Sequence, residues 1–160
     1  MKDGKLSKTD ELNHEVIVGM LRTSSMMLRV SDRFFSRFDV THVQFNILMI
    51  LKYDDREGEG LSQNQVGELM VVTKSNVVGL VDRLEKAGDV VRKSHPEDRR
   101  INRVLLTLRG KKKVEEIEQH YFSEINCVMS SLSNDEKKAI MLGTNKIRLY
   151  VGKNWEGKNQ

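Results

Sequence analysis

The sequence predicts a mostly α-helical fold with one β-hairpin, which is the α+β class, in a single unit of 160 residues. Two observations lead to this prediction. Apolar residues recur at helical spacing in six segments of the chain. Between the fourth and fifth segments, two β-prone runs (90–93 and 101–106) flank a polar connection, 94–100, that contains the only proline. Two extended runs joined in this way are typical of a hairpin.

A first helix is predicted over 10–38, after a polar start of about nine residues. Its apolar residues spread widely around the helix surface, so it must bury more than one face, which favours packing against a second subunit. The residues that form this broad apolar surface are Val16, Met20, Leu21, Met27, Leu28, Val30, Phe34 and Phe35.

The same start signal opens three later helices. In each case Ser or Thr is followed three residues later by Gln or Glu, the pair that forms a capping box. These signals predict helices from 42 to 53, from 63 to 70 and from 134 to 150. The pairs are Thr41 with Gln44, Ser62 with Gln65, and Ser133 with Glu136.

The helix over 63–70 and a following helix, capped by Thr73 and ended by Gly88, form a helix-turn-helix pattern. Another long helix, capped by Thr107, is predicted to end near Leu132. Residues at i, i+3, i+4 and i+7 share one helix face, which predicts the buried stripe. The predicted buried residues are Val66, Leu69 and Met70 in the first helix of the pair and Val77, Leu80, Val81 and Leu84 in the second.

Positive charge is concentrated in residues 74–113. This segment contains twelve Lys or Arg and five Asp or Glu, an excess of seven, so the other 120 residues sum to −3 within a net charge of +4. A local basic excess is typical of a surface that faces phosphates, although a solvated basic face is the alternative. The basic residues of the hairpin, with one histidine, are Arg92, Lys93, His95, Arg99, Arg100 and Arg103.

The second helix of the pair carries polar side chains suited to a DNA major groove. Asn76 can pair with adenine, whereas Lys74 and Arg83 can reach guanine or phosphate. Ser75 can contact either base edges or backbone. Gly79 costs about 1 kcal/mol relative to Ala in a helix interior. Close approach of DNA would account for this glycine, and a neutral surface position is the equal alternative.

The basic hairpin tip is suited to a minor groove, where Arg favours narrow A·T tracts. Asp98 is an acid among these cations. We interpret it as a brace that accepts hydrogen bonds from an Arg and fixes the loop, with an ordinary exposed acid as the alternative.

Several classes of protein are excluded. No apolar run of about 18 residues predicts a membrane span, and the N-terminus lacks the apolar centre of a secretory signal. We therefore expect a cytoplasmic protein. The lone Cys127 agrees with a reducing compartment, and no metal-ligand spacing is present. No nucleophile elbow or phosphate-binding glycine loop occurs, so we expect neither an enzyme nor a cofactor.

These motifs closely resemble those of the MarR family of bacterial transcription regulators. The family's wing pattern, Asp-x-Arg followed by Leu-Thr-x-x-Gly, is matched at 98–100 and 106–110. The resemblance extends over roughly 10–150. Further matching segments are Leu-Glu-Lys-Ala-Gly at 84–88, similar to the exit of the family's recognition helix, and 40–48 and 61–69, similar to its second and third helices.

The resemblance implies a winged helix-turn-helix fold with a two-stranded β wing, in a homodimer that binds double-stranded DNA at a pseudopalindromic operator, most simply as a repressor. Dimerisation would use helices within 10–38 and 108–151, and DNA binding the lobe 41–107. The recognition helix 74–87 would enter the major groove and the wing 94–100 the minor groove. The DNA-binding residues would be Lys74, Ser75, Asn76, Gly79, Arg83, His95, Arg99 and Arg100, with Arg100 at the wing tip and Asp98 as its brace.

Two departures from the family pattern leave the operator sequence open. Gly79 stands where many members have a large polar residue, and Ile101 stands where a small residue is common. Many members bind small phenolic or lipophilic effectors, but no effector is identified by this sequence. Cys127 fits a packing residue better than a redox sensor. A winged-helix module that binds proteins rather than DNA is the alternative function.

Overall fold

The computed structural model describes residues 7–55, 58–70, 74–94 and 102–154, with the backbone alone for 74–76. Within these residues it confirms a mostly helical α+β fold. The chain divides into two compact units, Met1–Glu115 and Glu116–Gln160. The helices are α1 (Lys8–Ser36), α2 (His42–Tyr53), α3 (Gln63–Met70), α4 (Lys74–Lys86), α5 (Leu108–Met129) and α6 (Asn134–Asn154). The strands are β1 (Leu61–Ser62), β2 (Val90–Ser94) and β3 (Asn102–Leu106).

The three predicted capping boxes are confirmed. In the first, the backbone N–H of Gln44 donates to Thr41 Oγ1 at 3.2 Å, and the backbone N–H of Thr41 donates to Gln44 Oε1 at 2.9 Å. The Ser62 and Ser133 boxes have the same reciprocal pattern. A fourth box, formed by Ser7 with Asp10, opens α1. Because Asp closes this box, it falls outside the pattern of Ser or Thr followed by Gln or Glu, and α1 begins at Lys8 rather than at 10.

Three other predicted helix ends differ by a few residues. α1 ends at Ser36 rather than at 38, α5 at Met129 rather than near 132, and α6 continues to Asn154. The predicted recognition helix 74–87 is α4, which ends at Lys86. Gly88 follows it with a φ of +77°, in the left-handed region that favours glycine. The predicted stop signal is therefore confirmed.

The core of the first unit forms around α2. Its aromatic ring Phe45 packs against Phe35 of α1, with ring centroids 4.9 Å apart. Ile47 and Leu48 have no exposed surface. α3, α4 and the strands add fully buried valines to this core. They are Val66, Val77, Val81 and Val104.

The sheet has three strands rather than the predicted two. β3 lies in the middle, antiparallel to both β1 and β2, with Leu61 opposite Val104. β1 is two residues long, too short to show the alternation by which a strand is predicted. Gly60 precedes it with a φ of +85°, and a Cβ there would lie 2.7 Å from the Leu105 side chain. Glycine is thus needed where this strand joins the sheet.

Some residues that were predicted to be buried in α3 and α4 are only partly buried or exposed. Val77, Val81 and Leu84 are buried as predicted, whereas Leu80 is only partly buried. In α3, Leu69 is 48% exposed and Met70 is partly buried. α3 has eight residues. So short a helix buries only a narrow stripe, and Leu69 lies outside this stripe.

α1 and α6 expose much of their apolar surface. α1 buries only its C-terminal pair, Phe34 and Phe35, and no described residue of α6 is buried. None of the described helices is both long and apolar enough to cross a membrane. The exposed apolar residues are Leu12, Val16, Ile17, Leu21, Met26, Met27, Leu28 and Val30 on α1, and Ile140, Met141, Leu142, Leu149, Tyr150 and Val151 on α6.

Candidate nucleic-acid interface

α4 is held to the core on one side and exposed on the other. Arg83 and Lys86 are exposed on this outer side. A Cβ built at Gly79 would meet no atom within 4 Å, so the surface there is open. Lys74, Ser75 and Asn76 lie in the first turn of α4. A rise of 1.5 Å per residue places the positions of Lys74 and Arg83 about 14 Å apart along the axis, comparable to the width of a major groove.

The predicted contacts of the wing lie outside the described residues. These are His95, Arg99 and Arg100, together with the brace Asp98, and Ile101 lies outside them too. The two strands that carry this connection are described, and they pair up to Ser94 opposite Asn102. Lys93, at the end of β2, is exposed. The roles of the wing residues remain predictions from the sequence.

Arg92 is not available to bind phosphate, although in the sequence it is one of the basic residues of the hairpin. Its guanidinium forms ion pairs with Glu85 and, at 2.5 Å, with Asp82. The Gln63 side-chain amide, turned so that its oxygen faces the guanidinium, accepts from Arg92 Nε at 3.1 Å. Burial opposes the charge of Arg92, but the hydrogen bonds to Asp82 and Glu85 outweigh it, and the pKa of Arg92 is raised. Arg92 therefore binds two carboxylates of α4, offsets one of their two negative charges and ties β2 to this helix.

Arg103 is also engaged inside the protein. Its guanidinium donates to the Gly60 carbonyl at 2.9 Å and lies 3.4 Å from the Glu59 carboxylate. These contacts link β3 to the loop that precedes β1. Arg103 thus stabilises the sheet, although it resembles a phosphate ligand in the sequence.

Asp89 forms a buried ion-pair cluster that sequence analysis missed. Its side chain is fully buried, with Lys113 Nζ 2.6 Å from Oδ2. Arg109 Nε lies 3.2 Å from Oδ1, but without the geometry of a hydrogen bond. The spacing of Arg109 and Lys113, four residues apart on one face of α5, supplies a signal for this cluster.

The backbone around Asp89 explains the Thr and Gly of the Leu-Thr-x-x-Gly motif. Thr107 N–H donates to the Asp89 carbonyl at 3.1 Å, and Gly110 N–H donates to Thr107 Oγ1 at 3.0 Å. A Cβ at Gly110 would lie 1.9 Å from the Asp89 carbonyl oxygen. We call this group (Asp89, Thr107, Arg109, Gly110 and Lys113) the Asp89 corner. It fixes the start of α5 against the end of α4.

The Lys and Arg side chains that the structure describes in the basic segment divide into two sets. One set is paired with carboxylates: Arg92, Arg103, Arg109 and Lys113. The other set is exposed and makes no ion pair with any other described residue: Arg83, Lys86, Lys93, Lys111 and Lys112. Of these two sets, the second leaves its charge available to a ligand.

The remaining ligand chemistry is limited. In the described part of the chain, no group of three His, Cys, Asp or Glu side chains could hold a metal ion. Cys127 is exposed on α5 rather than packed in a core, which corrects the interpretation of it as a packing residue.

Comparison with known proteins agrees with this architecture. A MarR family model matches residues 38–101. The HTH-type transcriptional repressor YetL of Bacillus subtilis (strain 168) is 33% identical over 141 residues, which cover 87% of this chain and 83% of YetL. Its similarity thus extends well beyond the segment that the family model matches.

Two solved structures share the fold. S. aureus MepR, in a DNA complex, has a TM-score of 0.73 and 23% identity, covering 82% of this chain and 93% of MepR. CouR from Rhodococcus jostii RHA1, bound to p-coumaroyl-CoA, has a TM-score of 0.73 and 21% identity, covering 85% of this chain and 93% of CouR. With its helix-turn-helix, its β wing and its similarity to YetL, the chain belongs to the MarR family of winged-helix transcriptional regulators, not to a class of enzymes.

Proposed function

We propose that this protein is a sequence-specific double-stranded DNA-binding repressor that binds a pseudopalindromic operator as a homodimer. α4, within 74–87, enters the major groove, and the wing 94–100 enters the minor groove. The observation that carries this proposal is the exposed side of α4. Its cations, Arg83 and Lys86, are free of carboxylate partners among the described residues, whereas its carboxylates are paired.

Electrostatics favour DNA as the ligand of this side. Two unpaired carboxylates on a recognition helix would repel phosphates, but Arg92 binds both Asp82 and Glu85 and offsets one of their two negative charges. The exposed cations Arg83 and Lys86 outnumber the one negative charge that remains, and affinity for DNA rests largely on neutralised phosphates. Lys74, Ser75 and Asn76 in the first turn, and Gly79 one turn later, would lie nearest the base edges. His95, Arg99 and Arg100, braced by Asp98, would extend the contact to the minor groove.

A second subunit accounts for the exposed apolar surfaces. α1 and α6 each expose at least six large apolar residues, and apolar patches of this size mark interfaces. We assign dimerisation to helices within 10–38 and 108–151, and DNA binding to 41–107. A two-fold dimer would place its two recognition helices in major grooves about one helical turn apart.

Two relatives support repression as the effect on transcription and a small molecule as the regulator of DNA binding. YetL is named a transcriptional repressor, and MepR has been solved in a DNA complex. CouR has been solved with p-coumaroyl-CoA, the coenzyme A thioester of a phenolic acid. For the present protein we propose DNA release by a small phenolic or lipophilic effector.

Selection of bound fragments from the host genome, followed by footprinting, tests the proposal. We expect a two-fold site with half-sites about 10 base pairs apart, centre to centre, and a dimer mass in light scattering. Arg100→Ala should weaken binding strongly without lowering the melting temperature. Lys138→Ala, which removes an exposed charge on α6, is the matched control and should leave binding unchanged. Failure to enrich any sequence would overturn the proposal and favour a protein-binding module.

A further inference from the structure

Val78 is an exposed apolar residue in the middle of α4. It is 44% exposed, although its neighbours Val77 and Val81 are fully buried. Packing therefore gives little reason for an apolar side chain here. Helix propensity does not favour valine either, because the preceding turn restricts the χ1 angle of a β-branched residue.

Gly79 follows Val78, so two successive residues in mid-helix are poor helix formers. The open space at Gly79 lets another molecule approach the backbone closely. A partner that lies against Gly79 would also lie near the methyl groups of Val78. At this pair, a backbone that a partner can approach closely lies next to an exposed apolar side chain.

Val78 also lies on the same side of α4 as two carboxylates that are already engaged. Asp82 and Glu85 are four and seven residues further along, and both bind Arg92. A free carboxylate in a major groove would accept from the cytosine amino group. Because Arg92 binds both carboxylates, the apolar side chain that this flank offers to a base is Val78. The apolar group that a major groove presents is the 5-methyl group of thymine.

We infer that Val78, beside the open position at Gly79, contacts the 5-methyl group of a thymine in each operator half-site. The contact makes Val78 a specificity-determining residue that favours thymine over cytosine at one position. This inference rests on the proposed function, since it needs α4 in a major groove.

A thymine-to-uracil scan of the enriched operator duplex tests the contact, because uracil lacks the methyl group but keeps every hydrogen-bonding atom. We expect a single uracil, at the contacted position of one half-site, to weaken wild-type binding about fourfold, the effect of one buried methyl group. Val78→Ala should bind the thymine and uracil duplexes equally. Lys86→Ala, which removes an exposed cation, should weaken binding to both duplexes by the same factor.

A second pair of variants guards against an effect on folding. Val78→Thr keeps one methyl group and should retain the preference for thymine, whereas Val78→Ser should lose it. If wild type binds its operator and no uracil effect depends on Val78, the inference is overturned and the proposed function stands. Val78→Ala could instead change the mass of the oligomer in light scattering and leave the uracil effect intact. In that case Val78 contacts protein, and the inference is also overturned. A wild type that enriches no duplex refutes the proposed function itself.

Discussion

The Asp89 corner and the exposed side of α4 contain similar residues in opposite surroundings. Each has a glycine: Gly110 lies against the Asp89 carbonyl, whereas Gly79 faces open space. Each also has basic side chains, but Lys113 is paired with a buried carboxylate and Arg83 is exposed. Residue type alone therefore does not separate a structural position from a ligand-facing one. Burial and the nearest carboxylate separate them.

The largest expected effect is that of a methyl group added at Gly110, and the same methyl group at Gly79 should have a small effect of opposite sign. Gly110→Ala should lower the free energy of unfolding by about 3 kcal/mol or more, because the added Cβ must push a backbone carbonyl away. Gly79→Ala should raise it by up to about 1 kcal/mol, because alanine is the better helix former. Urea unfolding monitored by circular dichroism measures both values. Equal effects of the two substitutions would remove the distinction between the two sites.

The next effect concerns the buried carboxylate. Asp89→Asn leaves the ammonium group of Lys113 without its counter-ion, on a side chain that is 16% exposed. We expect a loss of about 2 to 3 kcal/mol in the free energy of unfolding, below the range for fully buried pairs because the Arg109 side chain is 65% exposed. The control is Asp135→Asn, in an exposed pair with Lys138, with an expected change within about 0.5 kcal/mol. Similar values for both variants would show that the Asp89 corner is not a structural cluster.

Substitutions of Arg92, which is paired with carboxylates, and of Arg83, which is exposed on α4, should separate an effect on stability from an effect on DNA binding. Arg92→Ala should cost about 1 to 2 kcal/mol of unfolding free energy, since it removes charged hydrogen bonds to Asp82 and Glu85. Arg83→Ala should leave stability within about 0.5 kcal/mol but reduce the slope of log affinity against log salt by about 1. Fluorescence anisotropy at several salt concentrations measures the slope. A reduced slope for Arg92→Ala with unchanged stability would reverse the assignment.

The smallest expected effect is that of an exposed carboxylate, which contrasts with Asp89. The side-chain and backbone hydrogen bonds from Ser133 hold the pKa of Glu136 below its ordinary value of 4.5. Because the pKa is lowered on folding, the stabilisation is present above the unfolded value and is lost as pH falls through the folded one. The melting temperature of Glu136→Gln should lie slightly below that of wild type at pH 7. The two should converge below pH 4.5, and a difference that persists in acid would contradict this account.

The helices were largely predictable because their signals are local. A capping box lies within four residues, and the Thr41, Ser62 and Ser133 boxes all open helices at the predicted positions. The buried stripe of α4 was predictable for the same reason, except at its edge, Leu80. In contrast, β1 has only two residues, and its pairing with β3 is a contact between distant parts of the chain. A local pattern carries little information about such a strand.

The candidate site was predictable only in part. The sequence places Arg83 and Arg92 in one basic segment, but it does not show that carboxylates engage Arg92 and leave Arg83 exposed. Val78 was missed because it lies outside the predicted stripe of Val77, Leu80, Val81 and Leu84, and the prediction considered polar residues and Gly79 alone as groove contacts. How far Val78 is exposed depends on how α4 packs against α2 and α3, which no local pattern determines.

The order of the helices, the hairpin between them and the family were all readable from local features of the chain. These features are capping, apolar periodicity and motif spacing, which act over a few residues. The packed fold was needed to show which charges are available to a ligand, why Gly110 admits no side chain and how far Val78 of α4 is exposed. Those properties depend on atoms brought together from distant positions, as when Asp89 meets Lys113 across 24 residues of chain.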